Sequence, residues 1–93
     1  MEIRYYLDPS GEPHIYGHDV TEGEVEQVVW QPLERTPSRD GTFIASGRTL
    51  AGLYLKVVYK PDDERYTILV ITAYDMPPRQ VRALNRRSRR RRR

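Results

Sequence analysis

Three runs of β-forming residues, 42–48, 53–60 and 65–74, are separated by links of only four residues, and this spacing constrains the fold more than any other feature. Thr49-Leu-Ala-Gly and Pro61-Asp-Asp-Glu have turn-like composition, and links this short reverse the chain and leave neighbouring strands antiparallel. The third run is apolar on both faces, with Ile68 and Val70 on one and Leu69 and Ile71 on the other, which places it centrally in a sheet. Residues 2–7 also carry β-formers in loose alternation and read as a first strand. Residues 33–41, with Pro37, Ser38, Asp40 and Gly41, read as a loop.

One helix is well signposted. Thr21-Glu-Gly-Glu fits a capping box, in which the hydroxyl and the carboxylate three residues on satisfy each other's backbone donors. Val25, Val28 and Val29 follow at helical spacing, Val20 is placed to staple onto Val25, and Pro32 stops the helix near Gln31. Glu22, Glu24 and Glu26 lie off the apolar stripe, where acids near a helix N-terminus are favourable. After the last strand, Pro77-Pro78 breaks the chain. Residues 79–85 suit a short helix with Val81 and Leu84 on one side, with Asp75 as its cap. The chain beyond is too polar to build a core and is expected to be disordered. The expected fold is α+β: an antiparallel sheet of an N-terminal strand plus a three-stranded meander, packed on one or two helices. Residues 1–78 form the compact domain and residues 79–93 the short helix and tail. One sheet face is covered by the helix and the other left open.

Charge divides at the same boundary. Residues 1–78 hold seven basic and thirteen acidic side chains, a net −6, while residues 79–93 hold nine arginines and no acid. The overall +3 therefore describes an acidic domain with a cationic extension. The chain has no cysteine, which excludes disulfides, thiolate catalysis and the common zinc-finger patterns. Its longest aliphatic run, residues 68–71, is far too short to span a bilayer, and no apolar stretch of signal-peptide length opens the chain. A cytoplasmic location and no membrane association are expected.

The tail suits a polyanion. A cluster of guanidiniums releases counterions from a phosphate backbone, which favours RNA or DNA and carries no sequence specificity. Arg79, Arg82, Arg86, Arg87, Arg89 and Arg90 are the tail candidates for this contact, and Lys56, Lys60 and Arg65 are candidates on the strands. The competing reading of the tail is a solvated segment, or one folded back on acidic residues. Seven tyrosines is a high count for this length. Strand tyrosines usually pack on the sheet, but those on an open face can stack on unpaired bases.

The segments His18-Asp-Val-Thr-Glu-Gly-Glu-Val-Glu-Gln-Val, Gly47-Arg-Thr, Gly52-Leu-Tyr-Leu-Lys-Val-Val-Tyr and Val70-Ile-Thr-Ala-Tyr resemble BrnT-like proteins of the RelE/ParE toxin superfamily. The resemblance spans residues 14–76. It implies a RelE-like fold, metal-independent cleavage of messenger RNA, RNA or the ribosome as target, and an antitoxin as protein partner. Two positions depart from the pattern. Gly41-Thr-Phe-Ile-Ala-Ser-Gly lacks the family's Glu-x-Arg pair, and Tyr74 stands where the family carries an arginine.

Metal-free RNA cleavage needs a base for the 2′-hydroxyl, an acid for the leaving oxygen and a cation on the phosphate. Arg48 is the candidate cation, since a guanidinium binds two phosphate oxygens at once. His18 or Tyr74 is the candidate proton-transfer group. The other reading of His18 is a residue that orders the turn into the helix, and His14 has no assigned role. The spacing of His14 and His18 suits a metal on a helix, but Pro13 and Gly17 oppose a helix and no third ligand stands out. No metal and no cofactor are expected. Two functions therefore stand side by side: a toxin-like, RNA-directed endoribonuclease, and a non-catalytic module binding nucleic acid or protein through its arginine tail and open sheet face.

Overall fold

The helix signals act as their chemistry dictates. In the computed structural model of the chain, which describes residues 1–62, 64 and 66–91 (Arg91 by its backbone), helix α1 spans Glu22–Trp30. Thr21 is its N-cap, with the Thr21 side chain accepting from the Glu24 amide and the Glu24 carboxylate accepting from the Thr21 amide. Val25 and Val28 are fully buried. Gln31, just before Pro32, is the C-cap.

The sheet has five strands: β1 (Glu2–Tyr5), β2 (Glu34–Pro37), β3 (Phe43–Arg48), β4 (Tyr54–Pro61) and β5 (Thr67–Asp75), in the order β1-β5-β4-β3-β2. The meander β3-β4-β5 is antiparallel as its short links require, and β5 is central between β1 and β4. Two expectations are corrected. The segment read as a loop contains β2, which pairs antiparallel with β3. Its sequence, Glu-Arg-Thr-Pro, is polar because it is a largely exposed edge strand, and such strands carry no apolar alternation. The sheet is also not wholly antiparallel, because β1 pairs parallel with β5, Ile3 against Ile68 and Tyr5 against Val70. The hairpin rule governs only strands adjacent in sequence, and β1 meets its partner across α1 and three intervening strands.

Register assigns the faces. Leu55, Val57 and Tyr59 of β4 share a face with Ala45 of β3 and with Val70 and Ala73 of β5. These pack against Ile15, Val20, Val25 and Val28 to form the core. The register shift at Val58/Tyr59 passes over Ile71 of β5, and this extra residue brings Val70 and Ala73 onto the same face. Gly47, buried within β3 rather than at a turn, lets α1 come close, since a Cβ there would sit 3.3 Å from Val28 Cγ1. His14–His18 forms a 3-10 turn alongside β5.

The second face carries Ser46, Arg48, Tyr54, Lys56 and Tyr74. The expectation that it is left open is corrected by helix α2, Pro78–Arg91, which turns back over its β2–β4 end. Leu84 is fully buried, Asn85 Nδ2 donates to the Tyr54 hydroxyl at 3.3 Å, and Arg87 pairs with Glu34 of β2. α2 therefore runs past the expected end at Asn85 through Arg91; residues 92 and 93 lie outside the described residues. Arginine is a good helix former, and one buried leucine with two polar contacts supplies the tertiary support a short helix needs. Asp75 does not cap α2. It closes β5 three residues before the helix starts, and Pro78 takes the first helical position, where its missing N–H costs nothing.

Candidate nucleic-acid interface

The helical step of about 100° per residue decides what α2 presents. Arg79, Arg82, Arg86, Arg89 and Arg90 fall within an arc of about 100° on one side. Val81, Leu84 and Ser88 fall on the opposite side, and Leu84 is the residue buried against the protein. All five arginines of the stripe are exposed. They extend over about 16 Å at 1.5 Å per residue, or about one charge every 4 Å, close to the roughly 3.4 Å per phosphate along one strand of duplex DNA.

Arg87 lies off this stripe and has a different job. Its Nε and Nη2 donate to the two Glu34 carboxylate oxygens at 2.6 and 2.9 Å. The hydrogen bond to Glu34 raises the guanidinium's pKa further above its ordinary value. Two-point pairing of this kind fixes orientation as well as distance. Among the described residues, no carboxylate lies within ion-pair distance of Arg48 or of any arginine of the stripe.

A pocket of about 260 Å³ opens where α2 meets the sheet, lined by Leu33, Arg48, Tyr54, Asn85, Ser88 and Arg89. Arg48 ends β3, faces Tyr54 across the β3–β4 pair, and lays its guanidinium over the Tyr54 ring, 5.6 Å from the centroid. Gly52 holds the β3–β4 turn at φ +93°, and a Cβ there would stand 3.2 Å from Arg48 Nη2. The pocket lining thus brings together two guanidiniums without carboxylate partners among the described residues, an amide, a hydroxyl and an aromatic ring. On the other side of Arg48 a second hollow is lined by Gln27, Trp30, Gln31 and Leu50, with Trp30 and Leu50 both exposed.

The expected catalytic set is divided between two places. Arg48 lies in the α2 pocket. His18 and Tyr74 lie together where the His14–His18 turn meets the C-terminal half of β5, with ring centroids 6.4 Å apart. His14 joins them, 5.3 Å from His18 and held by Asp8, whose Oδ1 is 2.7 Å from His14 Nδ1. Lys56 is the cross-strand neighbour of Tyr74 and of Ser46 on the second face. Lys60 is exposed at the far end of β4, opposite Leu69, away from both groups. Arg65 lies outside the described residues.

Asn85, Ser88 and Tyr54 join the pocket without any local motif that marks them in the sequence. The available signal was the helical phase. Val81, Leu84, Asn85 and Ser88 recur at spacings of three and four, which extends the buried side of the helix well into the arginine-rich segment. Among the described residues, no group of three or more His, Cys, Asp or Glu side chains is placed to hold a metal ion. None of the helices there is long and apolar enough to cross a membrane. No protein-family model, no curated protein and no solved structure matches this chain.

Proposed function

We propose that this protein is a nucleic-acid-binding module whose target is RNA, held through its phosphate backbone by α2. The observation that carries this reading is the segregation of α2. One side is committed to the sheet through Leu84, Asn85 and Arg87, and the other presents five arginines without carboxylate partners among the described residues. The acidic body argues against general adhesion to polyanions and confines the contact to this helix and to Arg48 at its foot. Replacing Arg79, Arg82 and Arg86 by Gln is expected to weaken binding of a 12-nucleotide RNA at least tenfold at low salt. Unchanged affinity, measured by fluorescence anisotropy, would remove the basis for this reading.

The second reading is a RelE/BrnT-type endoribonuclease of a toxin–antitoxin pair that acts on the ribosome or free messenger. The adjacency of His18 and Tyr74, with His14 and Asp8 behind them, favours it. The separation of Arg48 from that cluster and the missing Glu-x-Arg pair weigh toward binding without cleavage. Discrete new 5′ ends in a translation extract, lost in His18→Ala, would reverse that preference.

A further inference from the structure

The pocket under α2 has features that backbone contact alone does not require. Five exposed arginines suffice to hold phosphates, yet Arg48 and Arg89 converge on a cavity with an amide, a hydroxyl and a ring. At about 260 Å³ it falls just below the range of roughly 300–1,000 Å³ typical of drug-sized ligand sites. It suits one ring with its sugar phosphate. Asn85 spends at most one N–H and one lone pair on the Tyr54 hydroxyl, so one of each is left to meet a polar edge. Arg48, layered on Tyr54, extends that aromatic surface with a flat cation on which a base can stack. Arg89 belongs both to the pocket wall and to the exposed stripe, so a strand lying along the stripe passes the pocket mouth.

We propose that this pocket takes a single unstacked nucleotide of the bound strand. Its phosphate lies between Arg48 and Arg89, its base stacks on the Arg48–Tyr54 layer, and Asn85 and Ser88 meet the edge of the base. The proposal rests on the RNA-binding reading above and adds to it a substrate class, single-stranded rather than duplex RNA. A paired base must first leave its helix to enter, and an unpaired one need not. The exposed Trp30 beside Arg48 offers the next base a second surface.

The test uses the full chain and two labelled probes, a 12-nucleotide single strand and a 12-base-pair RNA duplex, titrated at one fixed salt concentration. The wild-type protein is expected to bind the single strand on the order of tenfold more tightly, the worth of one stacked base. Arg48→Lys keeps the charge and removes the planar fork, and it is expected to erase that preference while leaving duplex affinity within about twofold. Arg82→Lys, on the stripe and outside the pocket, is expected to keep the preference. Equal binding of strand and duplex by the wild type, or a preference that survives in Arg48→Lys, would overturn the pocket assignment and leave the backbone-binding reading standing. Binding of neither probe would overturn both.

Discussion

Replacing Leu84 by Ala isolates the contact that docks α2. Leu84 has no exposed surface, and it is the largest buried side chain of its helix. Removing three buried carbons from such a site costs about 2–5 kcal/mol, according to how far the surroundings collapse. A chain of this length has a total stability of roughly 5–14 kcal/mol, so the loss is a large fraction of the whole. If α2 unfolds together with the sheet, the melting temperature falls by roughly 10 °C or more, with the urea m-value unchanged. If α2 is instead a separate cooperative unit, Leu84→Ala frees it first. Helical ellipticity then drops before the main transition, whose midpoint stays in place. Circular dichroism across a thermal melt distinguishes the two. Arg86→Ala, exposed on the same helix, serves as the control and shifts stability by no more than about 0.5 kcal/mol. A Leu84→Ala protein with wild-type melting and wild-type helicity would show that Leu84 is not packed as described, and the face assignment of α2 would fall with it.

Two further outcomes follow from local chemistry. The Tyr5 phenol is half-buried and donates to the Glu22 carbonyl at 3.4 Å; its burial, then the Glu26 and Glu22 carboxylates, push its pKa well above the usual tyrosine value. The unfolded chain ionises this phenol near pH 10 while the folded chain retains the proton. Stability is therefore fully present below pH 10 and falls as the pH rises further, and Tyr5→Phe flattens that fall in melts run from pH 8 to 11. A pH profile unchanged by the substitution would contradict the linkage. Thr21→Ala removes half of the capping box and is expected to cost about 1 kcal/mol in urea denaturation, whereas Thr21→Ser, which keeps the hydroxyl, costs a few tenths. Equal losses in the two variants would assign the effect to something other than the cap.

Those parts of the fold that rest on short-range chemistry were legible in the chain. The capping box, the Val25 and Val28 stripe and the Pro32 stop each act over a few residues, and each appears where expected. The β3-β4-β5 meander was legible because its links are too short to do anything except turn back. What was missed depends on distant partners. Nothing in Glu-Arg-Thr-Pro marks β2 until β3 stands beside it, and nothing in β1 fixes its direction until β5 does. The order of the arginine tail is hidden in the sequence for a related reason. Its composition suggested disorder, while Leu84, Asn85 and Arg87 tie it to the sheet through contacts 31 to 53 residues away in the case of Tyr54 and Glu34. The candidate site divides in the same way. The arginines were visible as residues, but their sorting into one anchor, Arg87, and a five-member stripe needed the helix to be docked. The chemistry of Arg48 is legible in the chain, but its companions Asn85, Ser88 and Arg89 come from a segment whose position only the docked helix fixes. The grouping of His14, His18 and Tyr74 depends on the 3-10 turn lying against β5, a placement no local signal encodes.

The most direct test of the central claim is the salt dependence of single-stranded RNA binding by the intact protein. Five phosphates, one for each stripe arginine with Arg48 sharing that of Arg89, give a slope of log K against log salt of about −3.5. Between 50 and 200 mM salt the affinity then falls about 130-fold. A slope near that value would place the backbone contact on α2 and Arg48 together. A slope shallower than about −1 would mean that at most one or two phosphates are engaged, and α2 would not be the nucleic-acid interface.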